Sequence, residues 1–309
     1  MKSLRRKKDK TYTGIEITAT GLMVATLEYH SQGWRLLRSK QAAFPEQAII
    51  PSLEAENIFD RETLISIIRD TLTGDGGGPS TVGLALPNES MKMCIQAFSE
   101  LSGTPSDIDK MIAWTIERTY NFQSGSTTSS FQKIDTENGA ARIFVSTGIT
   151  KVIQAYEGLL KSAGIHAVRV APSAVTQFNF YSSAIPPEGT IAYLGLFNDF
   201  SAFYVFQSGS LIFYQGLKKG MANDHFLYEL DMCIENHIME NPGCDIDKLY
   251  LGGYSGERQT VQEIFGSVGS GYMEIAVLDE TGLVVGESDT SKSLASFAAA
   301  IGAAQSLMV

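Results

Sequence analysis

Apolar positions divide the chain into short alternating runs, which are typical of strands, and longer runs with helical spacing. The N-terminal part carries three closely spaced strand-like runs, at 12–18, 22–29 and 34–40. Gly21 and the polar segment 31–33 separate these runs. Turn-forming residues between β-prone runs are typical of an antiparallel meander, so we expect the chain to begin with three hairpin-connected strands.

Helical and strand-like runs alternate after this meander. Asp60 is a suitable N-cap, and Leu64, Ile68 and Leu72 recur behind it at helical spacing. An apolar run at 81–86 follows and ends at a proline, which predicts a buried strand.

A smaller unit of different composition interrupts this alternation at 88–148. It begins with a strand-like run at 91–98, and Thr104 then caps a helix that has Pro105 at its first position. Two further runs, 129–136 and 141–146, flank a turn and predict a hairpin. The pattern indicates a strand–helix–hairpin insert.

The second half repeats the order of the first. Three close strand-like runs, 190–196, 201–206 and 211–215, precede alternating helices and strands. The later elements are expected at 222–240 (helix), 249–251 (strand), 257–265 (helix), 272–277 (strand) and an alanine-rich helix near residue 300. A meander followed by helix–strand alternation thus occurs twice, which predicts a duplicated α/β fold.

The resulting division has four parts. They are a basic tail (1–11), a first α/β domain (12–87 with 149–186), an insert (88–148) and a second α/β domain (187–309).

Composition and charge limit the classes of partner. The chain has 309 residues, 44% hydrophobic and 19% charged, as in soluble globular proteins. The first ten residues hold six basic side chains, and the rest of the chain has a formal charge of −15. An acidic body repels phosphates, so we expect no nucleic-acid partner. Residues 2–10 suit either contact with an anionic membrane surface or a solvated tail.

The features that the sequence lacks predict where the protein is located and whether it binds a metal. No apolar stretch is long enough to cross a bilayer, no signal peptide is apparent, and three cysteines form no CxxC pair, so a cytoplasmic location is expected. The four histidines have no ligand spacing, so we expect no metal site. His225 and His237 are expected on the solvated side of helix 222–240.

Several short motifs, in order over residues 12–309, resemble the type IV pilus assembly protein PilM family. This family belongs to the actin/Hsp70-like ATPase superfamily and is related to FtsA and to the cytoplasmic domain of GspL. The motifs are Gly14-Ile15-Glu16-Ile17, Leu84-Ala85-Leu86-Pro87, the helix 112–122, the segment 152–165, Leu251-Gly252-Gly253 and Ala300-Ile301-Gly302-Ala303-Ala304. The resemblance implies an actin-like fold of two ribonuclease-H-like domains, with a small α+β insert subdomain in the first.

The resemblance also implies a nucleotide site between two phosphate loops and an adenosine-side turn. The positions that match it are Glu16, Thr18, Thr20, Gly21, Asn198, Asp199, Gly252 and Gly253. The second loop lacks the expected carboxylate, since Tyr193 or Gly195 occupies that position. We therefore expect no catalytic residue and a degenerate ATPase, with ATP and magnesium left open as ligands. The alternative is an active ATPase or small-molecule kinase that uses Glu16 and Asp199.

The family's role implies a cytoplasmic scaffold, peripheral to the inner membrane, in a type IV pilus or type II secretion assembly platform. Its implied partners are the cytosolic N-terminal tail of a PilN-like bitopic membrane protein and an assembly ATPase, and self-association is a third expectation. The tail would occupy a groove between the insert and the first domain, lined by helix 105–121 and hairpin 129–147. The residues expected there are Trp114, Ile116, Arg118, Tyr120 and Phe122. Core packing is the competing interpretation for Ile116 and Trp114. An FtsA-like filament protein is disfavoured, because residues 295–308 contain no Lys or Arg.

Overall fold

The structure is a computed structural model. It describes residues 10–31, 33–73, 78–137, 140–218, 220, 225–253, 265, 273–280, 282–285 and 294–308. The basic segment 1–9, nearly all of the helix expected at 257–265 and residue 272 lie outside the described residues.

The described residues form three sheets and six α-helices, with short 3-10 turns between them. The strands are β1 (Thr11–Ile17), β2 (Gly21–His30), β3 (Gly33–Ala43), β4 (Thr81–Leu86), β5 (Lys92–Phe98), β6 (Thr127–Glu137), β7 (Ala140–Ile149), β8 (His166–Pro172), β9 (Thr190–Leu196), β10 (Ser201–Gln207), β11 (Ser210–Leu217), β12 (Lys248–Gly252) and β13 (Glu274–Val277). The helices are α1 (Arg61–Leu72), α2 (Pro105–Thr119), α3 (Thr150–Ser162), α4 (Ser173–Tyr181), α5 (Phe226–Glu240) and α6 (Ala298–Gln305).

The two large sheets have the same topology. In the first sheet the order is β3-β2-β1-β4-β8, and in the second it is β11-β10-β9-β12-β13. Each begins with an antiparallel meander and continues with two strands that pair in parallel. The predicted duplication, and with it the predicted α/β fold class, is confirmed.

Side-chain caps set the starts of two helices where the sequence predicts them. The Asp60 carboxylate accepts a hydrogen bond from the Thr63 amide at the start of α1. Thr104 and Asp107 form a reciprocal capping box at the start of α2, behind which Pro105 occupies the first position. These caps satisfy amides that have no partner within the helix.

The sheet of the insert packs between helix α2 and the second domain. Its sheet has the order β5-β7-β6, and Ile112, Ile116 and Ile143 form part of the core between α2 and one sheet face. From the opposite face, the Phe144 ring contacts the rings of Tyr204 and Tyr214. The insert therefore joins the two domains.

Helix α6 packs on the first sheet, although the predicted second domain, 187–309, contains it. Residues 298–304 are buried, and the helix contacts β1, β2, β4 and α4. Glycines permit the close approach: a Cβ atom on Gly14 would lie 2.0 Å from the Ala300 carbonyl oxygen, and one on Gly83 would lie 2.1 Å from that of Ala303. Small residues on both sides bring helix and sheet backbones into contact.

None of the helices within the described residues is long and apolar enough to cross a membrane.

Candidate functional site

A cleft of about 460 Å³ lies between the two domains, at the ends of β1 and β9. Its wall brings together seven of the eight residues predicted for the nucleotide site. These are Glu16, Thr18, Thr20, Gly21, Asn198, Asp199 and Gly253. Gly252, the eighth, precedes Gly253 at the end of β12.

Glu16 lines this cleft from the buried part of β1. Its side chain is 4% exposed, and burial raises the pKa of the carboxyl to about 7, although the Ser173 hydroxyl acts in the opposite direction. Ser173 begins α4, and its buried hydroxyl lies near the carboxyl without a hydrogen bond of normal geometry to any described residue. A carboxyl in this state is not a fixed negative charge at neutral pH.

The backbone amides of the first loop donate hydrogen bonds within the loop itself. The Thr18 amide donates to the Gly21 carbonyl at 2.9 Å. The amides of Thr20 and Gly21 donate to the Thr18 hydroxyl oxygen at 3.3 and 3.0 Å. A phosphate loop needs amides that point at the ligand. Here two of these amides point at the Thr18 hydroxyl oxygen, which takes the place of a phosphate oxygen.

The second loop is a tight turn without the carboxylate that the superfamily uses. The Phe197 amide donates to the Phe200 carbonyl at 3.0 Å, which closes the turn at Asn198 and Asp199. Upstream, Tyr193 is buried and its hydroxyl donates to the Gln177 side-chain oxygen at 2.9 Å. Burial raises the pKa of Tyr193 well above its usual range, so this group remains neutral.

Two tyrosine side chains pack against the predicted adenosine-side turn at Gly252 and Gly253. The Gly253 amide donates to the Tyr181 hydroxyl at 3.2 Å, and that hydroxyl donates to the Glu280 carboxylate at 2.5 Å. A Cβ atom on Gly252 would lie 2.4 Å from the Tyr193 hydroxyl. The small size of these glycines therefore accommodates protein side chains rather than leaving an open purine surface.

The described lining of the cleft is acidic. Glu16, Glu89 and Asp199 line it, and the described lining includes no Lys, Arg or His. Burial, together with the charge of Asp199, raises the pKa of Glu89. Within the described chain no three His, Cys, Asp or Glu side chains are grouped so that they could hold a metal. A nucleotide's phosphates need cations and free amides, and the described lining offers them carboxylates instead of basic side chains.

The sequence did not predict Glu89, Gln177, Tyr181 or Glu280 as part of this region. Gln177 and Tyr181 lie one turn apart on α4, a helix that the sequence does predict after Pro172. Their spacing shows that they share a face, but not that this face meets Tyr193.

The five residues predicted for the partner groove do not share one surface. Ile116 is fully buried in the insert core, as the competing interpretation held. Trp114 is 57% exposed, so the competing interpretation as a core residue is wrong for it, and the Arg118 guanidinium lies over its ring. Phe122 packs against both the insert core and the first-domain core.

Two clefts border the insert, and Tyr120 lines one of them. This cleft, of about 330 Å³, runs between β5 and β11 and also includes Lys92, Arg142 and Glu240. The other, of about 160 Å³, lies between the β6–β7 hairpin, α4 and the β10–β11 hairpin. Its apolar wall consists of Ile134, Phe144, Val175, Phe178, Tyr204, Phe206 and Leu211. We call this second space the hairpin cleft.

The predicted solvent position of His237 is wrong. The residue is fully buried, its Nε2 lies 2.8 Å from the Cys244 carbonyl oxygen, and its ring packs edge-on against Phe213. His237 shares the core side of α5 with Cys233 and Leu230, which lie one and two turns before it.

Comparison with known proteins identifies the fold. No protein-family model and no curated protein matches the chain. Among solved structures, a chain of the PilM–PilN type IV pilus biogenesis complex matches with a TM-score of 0.80 at 13% identity, covering 96% of this chain and 98% of that one. The cytoplasmic domain of EpsL, an inner membrane component of the Vibrio cholerae type II secretion system, matches with a TM-score of 0.53 at 13% identity, covering 97% and 96%.

A Bacteroides thetaiotaomicron protein of unknown function with an actin-like ATPase fold matches with a TM-score of 0.52 at 11% identity, covering 94% of this chain and 96% of that one. These likenesses extend over both domains and the insert. The chain thus has the actin-like ATPase fold, in the form seen in the PilM–PilN complex.

Proposed function

We propose that this protein is a PilM-like scaffold on the cytoplasmic face of the inner membrane, in the assembly platform of a type IV pilus or a type II secretion system. It binds the cytosolic N-terminal tail of a PilN-like bitopic membrane protein. The observation that carries this proposal is the likeness, over 96% of the chain, to a chain of the PilM–PilN complex. The likeness to EpsL supports the same class of role.

The state of the interdomain cleft supports a scaffold rather than an enzyme. Phosphoryl transfer depends on groups that stabilise developing negative charge. Here the pairing of β9 with β10 places Gly195, which carries no carboxylate, at the position that Glu16 holds in β1, and among the described residues three acidic side chains and no basic one line the cleft.

We assign the tail to the hairpin cleft. Extended segments bind where apolar pockets lie beside a strand with unpaired backbone groups. The cleft borders β6, which is an edge strand of the insert sheet, and Ile134 lies at the irregularity in the β6–β7 pairing. Its apolar wall suits aliphatic side chains of an extended tail.

A peptide-binding measurement tests this assignment. The probe is a labelled synthetic peptide with the cytosolic N-terminal sequence of the PilN-like protein from the same organism, followed by fluorescence anisotropy. Ile134→Glu places a charge against the apolar wall, and we expect affinity to fall about tenfold or more. Trp114→Ala, on the outer side of α2, is the matched control and should bind like the unchanged protein.

Two results would contradict the proposal at different levels. A loss of affinity in Trp114→Ala with none in Ile134→Glu would move the tail to the α2 surface. No binding of the peptide to the unchanged protein would remove the tail-binding function itself.

The alternative, an ATPase or kinase, draws on the presence of both Glu16 and Asp199 at one cleft. Calorimetry with ATP and magnesium, with phosphate release followed in parallel, separates the two proposals. We expect no turnover. Steady phosphate release that Glu16→Ala abolishes would establish the enzyme, whereas binding without turnover would make ATP a structural ligand of the scaffold.

The remaining partners belong to the same proposal: a cytosolic assembly ATPase, a second copy of the chain, and anionic lipid at residues 2–10. Lys10 is the described member of that segment, and its ammonium lies over the Tyr12 ring.

A further inference from the structure

Helix α5 exposes large apolar side chains on the side that faces away from its own core. Tyr228 is 66% exposed, Met232 38% and Met239 72%. These three lie within about 40° of one another around the axis, since successive residues turn by roughly 100°. Four of the twelve exposed large hydrophobic side chains in the described chain belong to this helix, the fourth being Ile238.

Folding of the second domain does not require this stripe. The opposite side of α5 already supplies Phe226, Leu230, Cys233 and Ile234 to the domain core. A surface helix with one buried face normally carries polar residues on the other. Exposed apolar side chains grouped on one face mark an interaction surface.

Acidic residues surround the stripe. Glu229, Asp231, Glu235 and Glu240 lie on α5, which contains no Lys or Arg. Glu235 occupies the stripe itself, between Met232 and Met239, and both Glu235 and Glu240 are exposed. An acidic surface repels anionic lipid and nucleic acid and attracts basic side chains. Methionine side chains adapt to aliphatic partners of varied shape.

We propose that this surface, the α5 outer face (Tyr228, Met232, Glu235 and Met239), docks an amphipathic helix of another protein whose aliphatic stripe is flanked by Lys and Arg. The aliphatic side chains cover Tyr228, Met232 and Met239, and the basic side chains pair with Glu235 and Glu240. This docking site lies on the second domain, apart from the hairpin cleft and its tail, and does not depend on tail binding.

The packing expected is helix against helix, with axes about 8–10 Å apart. At that spacing the apolar side chains interdigitate, and a basic side chain at the edge reaches the carboxylates that border the stripe. Tyr228 is expected to contribute strongly to such a contact, because aromatic side chains dominate binding hot spots.

The test uses the full chain and a labelled synthetic helix of about four turns, built from Leu on one face and Lys on the other. Fluorescence anisotropy at physiological salt measures its affinity. We expect Tyr228→Ser with Met239→Ser to weaken binding about tenfold or more, at about 1.4 kcal/mol per tenfold. Glu235→Lys should weaken binding as well, more strongly at low salt.

The matched control changes two exposed apolar residues elsewhere. Leu37 and Val168, 44% and 57% exposed, lie on edge strands of the first sheet. Leu37→Ser with Val168→Ser leaves the acidic charge of the protein unchanged, so unspecific attraction of the peptide would persist in both double variants. We expect this control to bind like the unchanged protein.

Three outcomes would overturn the proposal. The first is equal affinity in both double variants. The second is a concentration-dependent mass in ultracentrifugation that Tyr228→Ser with Met239→Ser removes, which would assign the face to a second copy of the chain. The third is binding to vesicles of anionic lipid that the same double variant removes. Thermal unfolding of each variant shows that the fold is retained.

Discussion

At the scale of single residues, the Glu16 carboxyl links the interdomain cleft to the stability of the fold. Its side chain is 4% exposed, and its pKa is raised from 4.5 to about 7 by burial. The folded protein therefore holds a proton that the unfolded chain releases between these pH values. As pH rises through that window, this group therefore lowers the free energy of unfolding, and the loss is complete above the pKa of the folded state.

Glu16→Gln, which resembles the protonated carboxyl, should remove this dependence. We expect the variant and the unchanged protein to differ little near about pH 4.5, and the variant to be more stable by about 3 kcal/mol near pH 8. Urea unfolding at both pH values measures the difference. Glu62→Gln, at an exposed carboxylate of α1, is the control, and a difference for Glu16→Gln that does not change with pH would contradict the prediction.

At the scale of elements, the stability of the first domain depends on how closely α6 lies on the sheet. Gly83→Ala adds a Cβ atom 2.1 Å from the Ala303 carbonyl oxygen, a backbone atom that moves only if the helix does. We expect a loss of about 1–3 kcal/mol or more in the free energy of unfolding, as in overpacked cores.

Gly282→Ala is the matched control, because a Cβ atom there meets nothing within 4 Å. It should change the free energy of unfolding by no more than about 0.5 kcal/mol. Urea unfolding compares the two variants. Equal stability of both would mean that α6 lies further from β4 than the structure indicates.

Elements whose signals are local could be predicted from the sequence, and contacts between distant elements could not. The strands at 81–86 and 190–196 and the caps at Asp60 and Thr104 lie where their patterns predict them. The burial of His237 could have been predicted from helical spacing, since the residue continues the apolar face of α5. An alanine-rich helix such as α6 is apolar all round, so its sequence does not tell which sheet it covers.

For the candidate site, too, the sequence predicts local motifs but not contacts between separate elements. Glu16 and the lack of a carboxylate in the second loop could be identified from motif positions, because both lie near the loop end of a strand. Gln177 and Glu89 reach the cleft from α4 and from the turn after β4, outside both loops, and only the packing of the two domains brings them there. The sequence also could not decide whether Trp114 is buried or exposed, because an aromatic side chain on an insert helix suits a core and a binding surface equally well.

At the scale of the whole molecule, the insert fixes the two domains relative to one another. It is part of the first domain's chain, yet the Phe144 ring contacts the rings of Tyr204 and Tyr214, and the Arg142 guanidinium donates to the Ile212 carbonyl at 2.9 Å. A rotation of the domains would have to break these contacts.

Phe144→Ala should loosen this joint. We expect the amides of β11 to exchange with solvent faster, together with a loss of about 2 kcal/mol in the free energy of unfolding, since the ring is half-buried. Hydrogen exchange with mass spectrometry resolves the strand. Phe131→Ala, on the α2 side of the insert sheet, should destabilise the insert without changing β11, and faster β11 exchange in both variants would contradict the prediction.

The packing of α6 on the first sheet also bears on how the protein is made. Strand β4 ends at Leu86, whereas α6 begins at Ala298. At about 5–20 residues per second, a ribosome needs roughly 10–40 s to synthesise the chain between them. For that interval the nascent sheet exposes the face that α6 later covers, including Gly14 and Gly83. Folding of the first domain must therefore wait for a late segment, and chaperones have that time in which to bind the uncovered face.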